Sequence, residues 1–395
     1  MNFLLGSLRL PNKRSIGIPV LLWFALSFAA VLAETLRGSI NNYLIFKQVF
    51  WHVVHQVNLY ADYPTEYQDT NHYGPVFSLV IAPFAVLPNW MGVILWSMVN
   101  AWVLFYAIGR LPVGVKQVQV VILVTALELM TAIHNVQFNP MLTAWLILAY
   151  VLVEKENDFW ATLFIAAGFM VKLYGIAGLL FFVFSRHKLK FVLSFFFWLA
   201  VLFCLPMLLS SPSFIVQSYY DWLDALVVKN TKNIGDLTVS NMQDICVMGM
   251  IRRIFHPAGF ADWMVLLPAA ALIVLPLLRF GQYASEAFRL RYLAIVLISV
   301  VIFSTSAESA TYVIAVAGVA IWYILSYQRV PAAWVHALLI FMLLFTSLSP
   351  TDLFPAYVKR HLIRPYSLKA LPCFIVWLVL IGEVWLRQFT LSKQP

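Results

Sequence analysis

The chain has 395 residues, 62% of them hydrophobic and only 11% charged, with a formal net charge of +9. A water-soluble protein carries about a quarter of its residues as charges, so this composition excludes an ordinary soluble domain. The apolar runs are long and continuous rather than alternating, which favours helices over a barrel. The expected fold class is an all-α polytopic membrane protein, its backbone polar groups satisfied within helices. The basic excess reads as helix-flanking charge that sets topology, not as a nucleic-acid surface. Cys204, Cys246 and Cys373 have neither an even count nor CxxC spacing, so no disulfide framework is expected.

Lys13 and Arg14 precede a hydrophobic run without a small-residue cleavage site, which predicts a retained first span over 17–35. Residues 43–59, "YLIFKQVFWHVVHQVNL", place Phe46, Val49, Phe50, Val53 and Val57 on one helical face. That pattern predicts a helix lying in the membrane interface with its apolar side in lipid. His52 and His55 fall mostly elsewhere and have no third ligand to make a metal site. "YADYPTEYQDTNHYGP", residues 60–75, then gathers Asp62, Glu66, Asp69 and His72 among four tyrosines.

Further spans are predicted near 74–88, 90–110, 117–134, 138–154, 158–185, 190–209, 262–280, 290–305, 309–326, 332–349 and 369–388. Segment 158–185 is long enough for one span or two short ones. Taking it as a single interrupted crossing keeps Arg186, His187, Lys188 and Lys190 cytoplasmic, together with Arg279, Arg289, Arg291, Arg329 and Arg387. The result is about twelve spans with both termini cytoplasmic. Segments 36–73, 210–261 and 350–368 then face outward, as do the short connections near 110–116, 154–157 and 305–308. The expected organisation is one transmembrane bundle over 1–395: a core module 1–209 with first outer loop 36–73, a large outer loop 210–261, and C-terminal helices 262–395.

Removing a proton from a hydroxyl nucleophile calls for a positioned base, and Asp69, His72, Glu66 and Glu308 are the candidates on the outer side. Arg252 and Arg253 break the positive-inside trend, and a forked guanidinium suits a phosphate oxygen pair. Lipid headgroups are an alternative partner for these arginines, and Lys359 and Arg360 repeat the theme in the last outer loop. Lys172 interrupts the sixth span, and a charge at depth usually lines a cavity or binds something. Glu128, His134 and Glu383 sit where helix ends or snorkelling account for them. Acids of the first loop and cations of the later ones are expected to converge on one lipid-accessible pocket.

Four stretches together resemble the type C integral-membrane glycosyltransferases, most closely glycosyltransferase family 87, the polyprenyl-phosphate-mannose-dependent group. They are "NNYLIFKQVFWHVVHQVNLYADYP", "HYGPVFSLVIAPFAVLP", "NVQFNPMLTAWLILAYVLVEKENDFWATLFIAAGFMVKLYG" and "NMQDICVMGMIRRIF". The third is similar to the family's GQ-x-N segment and places Lys172 on the family's lysine. The resemblance implies inverting transfer of a hexose, usually mannose, from a polyprenyl-phosphate donor to a glycolipid or glycan acceptor. It implies no cofactor beyond that lipid-linked co-substrate; no ligand cluster calls for a metal, although a divalent ion is compatible with the chemistry. Substrate contacts are expected from Asn41, Asn42, Tyr73, Asn139 and Lys172. Asn41 and Asn42 occupy the neighbourhood of the family's catalytic aspartate, and an amide cannot take the proton, so the base is expected to have moved, with Asp69 and His72 first. The expected location is the plasma (inner) membrane with the active site on the outer face. A secondary transporter, a lipid flippase or a noncatalytic envelope-assembly protein are the alternatives.

Overall fold

The structure is a computed structural model that describes residues 5–9, 15–238, 242–327 and 331–389. Lys13, Arg14, Asn241 and Arg329 lie outside the described residues. Apart from a short hairpin of β1 (Ser7–Arg9) and β2 (Ser15–Gly17), the described chain is helical. Every apolar segment expected above coincides with a helical element. Among the described residues, six stretches are long and apolar enough to cross a membrane: Ile18–Arg37, Asn89–Ile108, Val115–His134, Lys188–Leu208, Ser309–Ser326 and Leu368–Leu386. The chain divides into two compact units, one of residues 1–114 and 129–229, the other of residues 115–128 and 230–395.

Unit 1 contains α1 (Ile18–Arg37), α2 (Asn41–His55), α3 (Phe77–Ala85) and α4 (Asn89–Ile108). It also holds the end of α5 (Val115–His134), then α6 (Asn139–Glu154), α7 (Asp158–Val171), α8 (Lys188–Cys204) and most of α9 (Pro212–Gly235). Two expectations are corrected here. The face of α2 expected to enter lipid is instead packed in protein: Phe46, Val49 and Val53 are buried, and Phe46 meets the rings of Phe77 and Trp96 edge-on. The Tyr43 hydroxyl donates to the Phe84 carbonyl and Lys47 Nζ to that of Leu87, fastening α2 along α3. With nine residues and an internal Pro83, α3 is far shorter than the roughly twenty residues a bilayer requires.

The second correction concerns 158–185. Instead of one interrupted crossing, this segment is a hairpin. α7 runs to Lys172, and a 3-10 helix, Leu173–Phe184, returns along it. Gly175 lies against the Gly168 backbone, Gly178 against Ile165, and the Ser185 hydroxyl donates to Asp158 at 3.0 Å. At 1.5 Å per residue the fourteen residues of α7 carry the tip about 21 Å from its base. The glycines permit this: a Cβ at Gly175 would stand 2.2 Å from the Gly168 carbonyl carbon.

These changes reassign the connections. Trp23 donates to the Ala101 carbonyl, so α4 runs antiparallel to α1 and begins at the end where Asn89 meets Lys47. The turn after α5 lies at that same end, since Asn42 Nδ2 donates to the Asn135 carbonyl at 2.7 Å. The 154–157 connection, expected on the outer side, shares its end with the basic cluster instead: Arg186 pairs with Glu156 at 2.7 Å. One end of unit 1 therefore gathers Lys155, Arg186, His187, Lys188 and Lys190, and the other carries the first loop, the turn after α5 and the hairpin tip.

Unit 2 is built from the start of α5 with α10 (Val247–Phe255), α11 (Trp263–Val274), α12 (Glu286–Ile302), α13 (Tyr312–Ser326), α14 (Ala333–Met342), the short α15 (Ala356–Val358) and α16 (Leu371–Leu386). α13 is buried along almost its whole length. Polar ties cross the apolar packing: Arg291 pairs with Glu383, and Trp377 donates to Ser299. Lys369 Nζ, itself buried, lies 2.9 Å from Glu128 Oε1 and 3.0 Å from Ser309 Oγ. Glu128, read in the sequence as a helix-end charge, is thus half of a buried ion pair.

Candidate active site

The turn of residues 134–139 is the hub of the polar end of unit 1. It closes α5 with paired bonds, Gln137 N to the Ala132 carbonyl at 3.0 Å and Val136 N to that of Ile133 at 2.9 Å. Such a helix ending places one residue in the left-handed region, normally glycine. Here that residue is Val136, at φ 50, an uncommon conformation for a β-branched side chain. It stands where the resembling motif has its glycine. Its side chain is 2% exposed, so burial offsets backbone strain.

Four groups from elsewhere in unit 1 meet this turn. Asn42 reaches the Asn135 carbonyl, and the Tyr73 hydroxyl lies 3.2 Å from Gln137 Oε1. From the hairpin tip, Lys172 Nζ donates to Asn139 Oδ1 at 2.9 Å. His134 Nε2 lies 3.0 Å from Glu34 Oε1, near the end of α1. The lysine also faces two rings, 4.8 Å from the centroid of Tyr174 and 5.8 Å from that of Tyr73.

The first loop is held against the hairpin by a glycine. Gly74 N donates to the Val171 carbonyl at 3.1 Å, and a Cβ there would stand 2.0 Å from the Met170 carbonyl oxygen. Only glycine permits this approach, which sets Tyr73 beside Lys172. Trp222 of α9 covers the contact, donating to the His72 carbonyl at 3.0 Å. Asn41 fixes the loop from α2: its amide donates to the Gln68 carbonyl and accepts from the Gln68 N–H, each at 2.7 Å.

The expected acids separate into different environments. Glu66 Oε2 is 2.9 Å from His52 Nε2, and the buried His52 ring lies 4.5 Å from that of Tyr63, so this pair pins the loop to α2. Burial, reinforced by Glu66, pushes the Tyr67 phenol well above its ordinary value, leaving it a neutral hydroxyl. Asp69 is 59% exposed, at φ 73, and 3.9 Å from His72 Nε2, beyond a direct hydrogen bond. Asn42, Tyr73, Asn139 and Lys172 meet at the 134–139 turn, and Asn41 holds the first loop beside them through Gln68. Glu34 was passed over, because only its partner a hundred residues later makes a helix-end carboxylate notable.

The remaining candidates lie in unit 2. Arg252 and Arg253 are buried, and both grip Asp244, which has no exposed surface. Arg252 also pairs with Asp262, and Cys246 Sγ donates to Asp244 at 3.2 Å. The two guanidinium groups are thereby matched by two carboxylates, and they lock α10 to its preceding loop. Glu308 caps the start of the Ser309–Thr311 turn leading into α13 and accepts from Gln243 at 3.1 Å. Lys359 lies 3.6 Å from Asp352, and Arg360 is exposed. α10, α11 and α16 also wall an apolar cavity of about 450 Å3, lined by residues such as Met250, Ile254, Leu272, Phe374 and Trp377. Among the described residues no group of three His, Cys, Asp or Glu gathers closely enough to hold a metal ion.

The model of glycosyltransferase family 87 matches residues 71–305, more than half of the chain. The chain belongs to that family. It is a membrane glycosyltransferase, acting on a sugar donor and an acceptor. No individual curated protein matches it. The family 87 match covers Tyr73, the turn 134–139 and Lys172, and it begins after Asn41 and Asn42, the amides near the family's aspartate position.

Proposed function

We propose that this glycosyltransferase moves a hexose, mannose foremost, from a polyprenyl-phosphate donor to a lipid or glycan acceptor, with inversion at the anomeric carbon. In the reaction an acceptor oxygen bonds to C1 as the C1–O bond to phosphate breaks. The electron pair leaves with the polyprenyl phosphate, and the acceptor proton goes to a base. The observation that carries this reading is the Lys172 ammonium at the hairpin tip, held by Asn139 and facing Tyr73 and Tyr174. A fixed cation where negative charge accumulates on the leaving phosphate is the largest contribution such a site makes. It takes the phosphate role expected of Arg252 and Arg253, whose charges are matched by Asp244 and Asp262.

The tyrosines of the first loop supply faces for a pyranose ring, and Asp69, exposed beside His72, supplies acceptors for sugar hydroxyls. The gathering of Lys155, Arg186, Lys188 and Lys190 at the opposite end of unit 1 supports an outward-facing site in the plasma (inner) membrane with both termini cytoplasmic. A lipid-borne donor is required on that side, away from nucleotide sugars.

The test is reconstitution in vesicles with labelled polyprenyl-phosphate mannose and a lipid extract as acceptor. Label should pass into extractable glycan with release of polyprenyl phosphate. Uptake of free solute into the lumen without glycan labelling would mark a transporter and end this reading.

A further inference from the structure

The proposed transfer needs a base, and Asn42, beside the turn, is an amide that cannot accept the proton. Next to the carbonyl that Asn42 binds stands His134, with the Glu34 carboxylate 3.0 Å from its Nε2. We infer that Glu34 and His134 form the general-base pair of this enzyme, an assignment that rests on the transfer reaction proposed above. His134 takes the acceptor proton, and Glu34 positions it.

Three features carry the assignment. The burial of the two groups is graded in the useful sense: the Glu34 side chain is 7% exposed and that of His134 is 52%. The carboxylate is therefore sheltered while the imidazole is open to an acceptor. Nε2 faces the carboxylate at 3.0 Å, so Nδ1 is the ring nitrogen turned to an acceptor, and the acidic partner orients the imidazole as it does for a catalytic histidine. His134 also belongs to the same six-residue turn that holds Tyr73 through Gln137 and Lys172 through Asn139. Base and cation are thus set by one rigid piece of backbone. Arg37 Nη1 lies 3.4 Å from the same Glu34 oxygen and leaves the His134 ring uncontacted.

The other acid–imidazole pairs lack this arrangement. In the Glu66 pair the histidine is the buried member, at 6% exposure, and it serves the loop. The Asp69 pair stands at 3.9 Å, beyond a direct hydrogen bond. As the acceptor O–C1 bond forms and the C1–O–phosphate bond breaks, the hydroxyl proton passes to His134 Nδ1. The electron pair of the broken bond leaves on phosphate, and the proton later returns to water.

The experiment measures transfer from polyprenyl-phosphate mannose by the full-length protein in vesicles, for wild type, His134→Ala, Glu34→Gln and Glu34→Asp. His134→Ala should lower kcat by about 10²–10⁴-fold with an unchanged donor KM, and added imidazole should restore part of the rate. Glu34→Gln keeps the shape of the side chain but should lower kcat, and Glu34→Asp should recover part of that loss. A structural tie alone would not respond to imidazole. Wild-type turnover with an undiminished His134→Ala, or a loss that imidazole leaves untouched, overturns the assignment while the transferase reading stands. Absence of wild-type transfer overturns both.

Discussion

Gly74→Ala is the substitution that most sharply separates packing from chemistry. The added Cβ would sit 2.0 Å from the Met170 carbonyl oxygen and 3.2 Å from both the Met170 carbonyl carbon and the Trp222 ring. The nearest of these is backbone, with no flexible end to swing away, so the loop must retreat by about 1.5 Å to reach ordinary contact. The retreat stretches the Gly74 N–H bond to Val171, now 3.1 Å, and withdraws Tyr73 from Lys172. Overpacking of this kind costs about 1–3 kcal/mol, and the weakened hydrogen bond adds about 1 kcal/mol. A displacement near 1 Å at reacting groups costs up to about 10²-fold in rate. Thermal unfolding in detergent and mannosyl transfer in vesicles should therefore both fall for Gly74→Ala. Gly281→Ala, where nothing lies within 4 Å of the new Cβ, should leave both unchanged. Full transfer and wild-type stability in Gly74→Ala would refute the view that this contact seats the first loop on the hairpin.

Other expectations follow from the same geometry. Lys172→Gln should depress kcat by about 10²-fold or more, as removal of a preorganised charge partner does, with Asn139 still able to bond the new amide. Asp244→Asn should destabilise unit 2 by about 3–5 kcal/mol, because Arg252 and Arg253 lose a buried counter-charge; chemical denaturation followed by tryptophan fluorescence reads this. At Val136 the usual order is inverted: Val136→Gly should be more stable than Val136→Ala by about 1 kcal/mol, since glycine relieves the positive φ that alanine retains. In a cysteine-free background, Asn135→Cys should react with an impermeant maleimide from outside cells. Glu156→Cys and Arg186→Cys should react only after permeabilisation, and opposite labelling of the last two would dismiss the hairpin.

Much of the fold is legible in the sequence, because apolar runs of helical length have few alternatives in a bilayer. Tyr73, Asn139 and Lys172 were also legible as a group, through motif order. The path of 158–185 was not, since a hairpin of two apolar arms and one long helix have the same hydropathy. The signals lay in glycine spacing: Gly168, Gly175 and Gly178 straddle Lys172 so as to let the arms close. α3 misled for a related reason, being apolar enough for a span and too short for one. The arginine pair reads as phosphate-binding in the sequence because nothing there marks Asp244, eight residues before Arg252, as its counter-charge. Its position at φ 57, with no exposed surface, depends on contacts that local sequence does not encode. Glu34 draws no notice in the sequence, and His134 reads only as a helix-end residue, for the same reason: each is unremarkable until the other is beside it.

The central claim is that the leaving phosphate of a lipid-borne sugar sits at the meeting of the first loop, the 134–139 turn and the hairpin tip. A polyprenyl-phosphate donor analogue with a photoreactive group beside the phosphate tests this directly, by mass spectrometry of the cross-linked peptides. The adducts should fall on peptides containing Tyr73, residues 134–139 or Lys172, and unlabelled donor should compete them away. Adducts confined to the loop bearing Lys359 and Arg360, with the hairpin tip unmarked, would contradict the account.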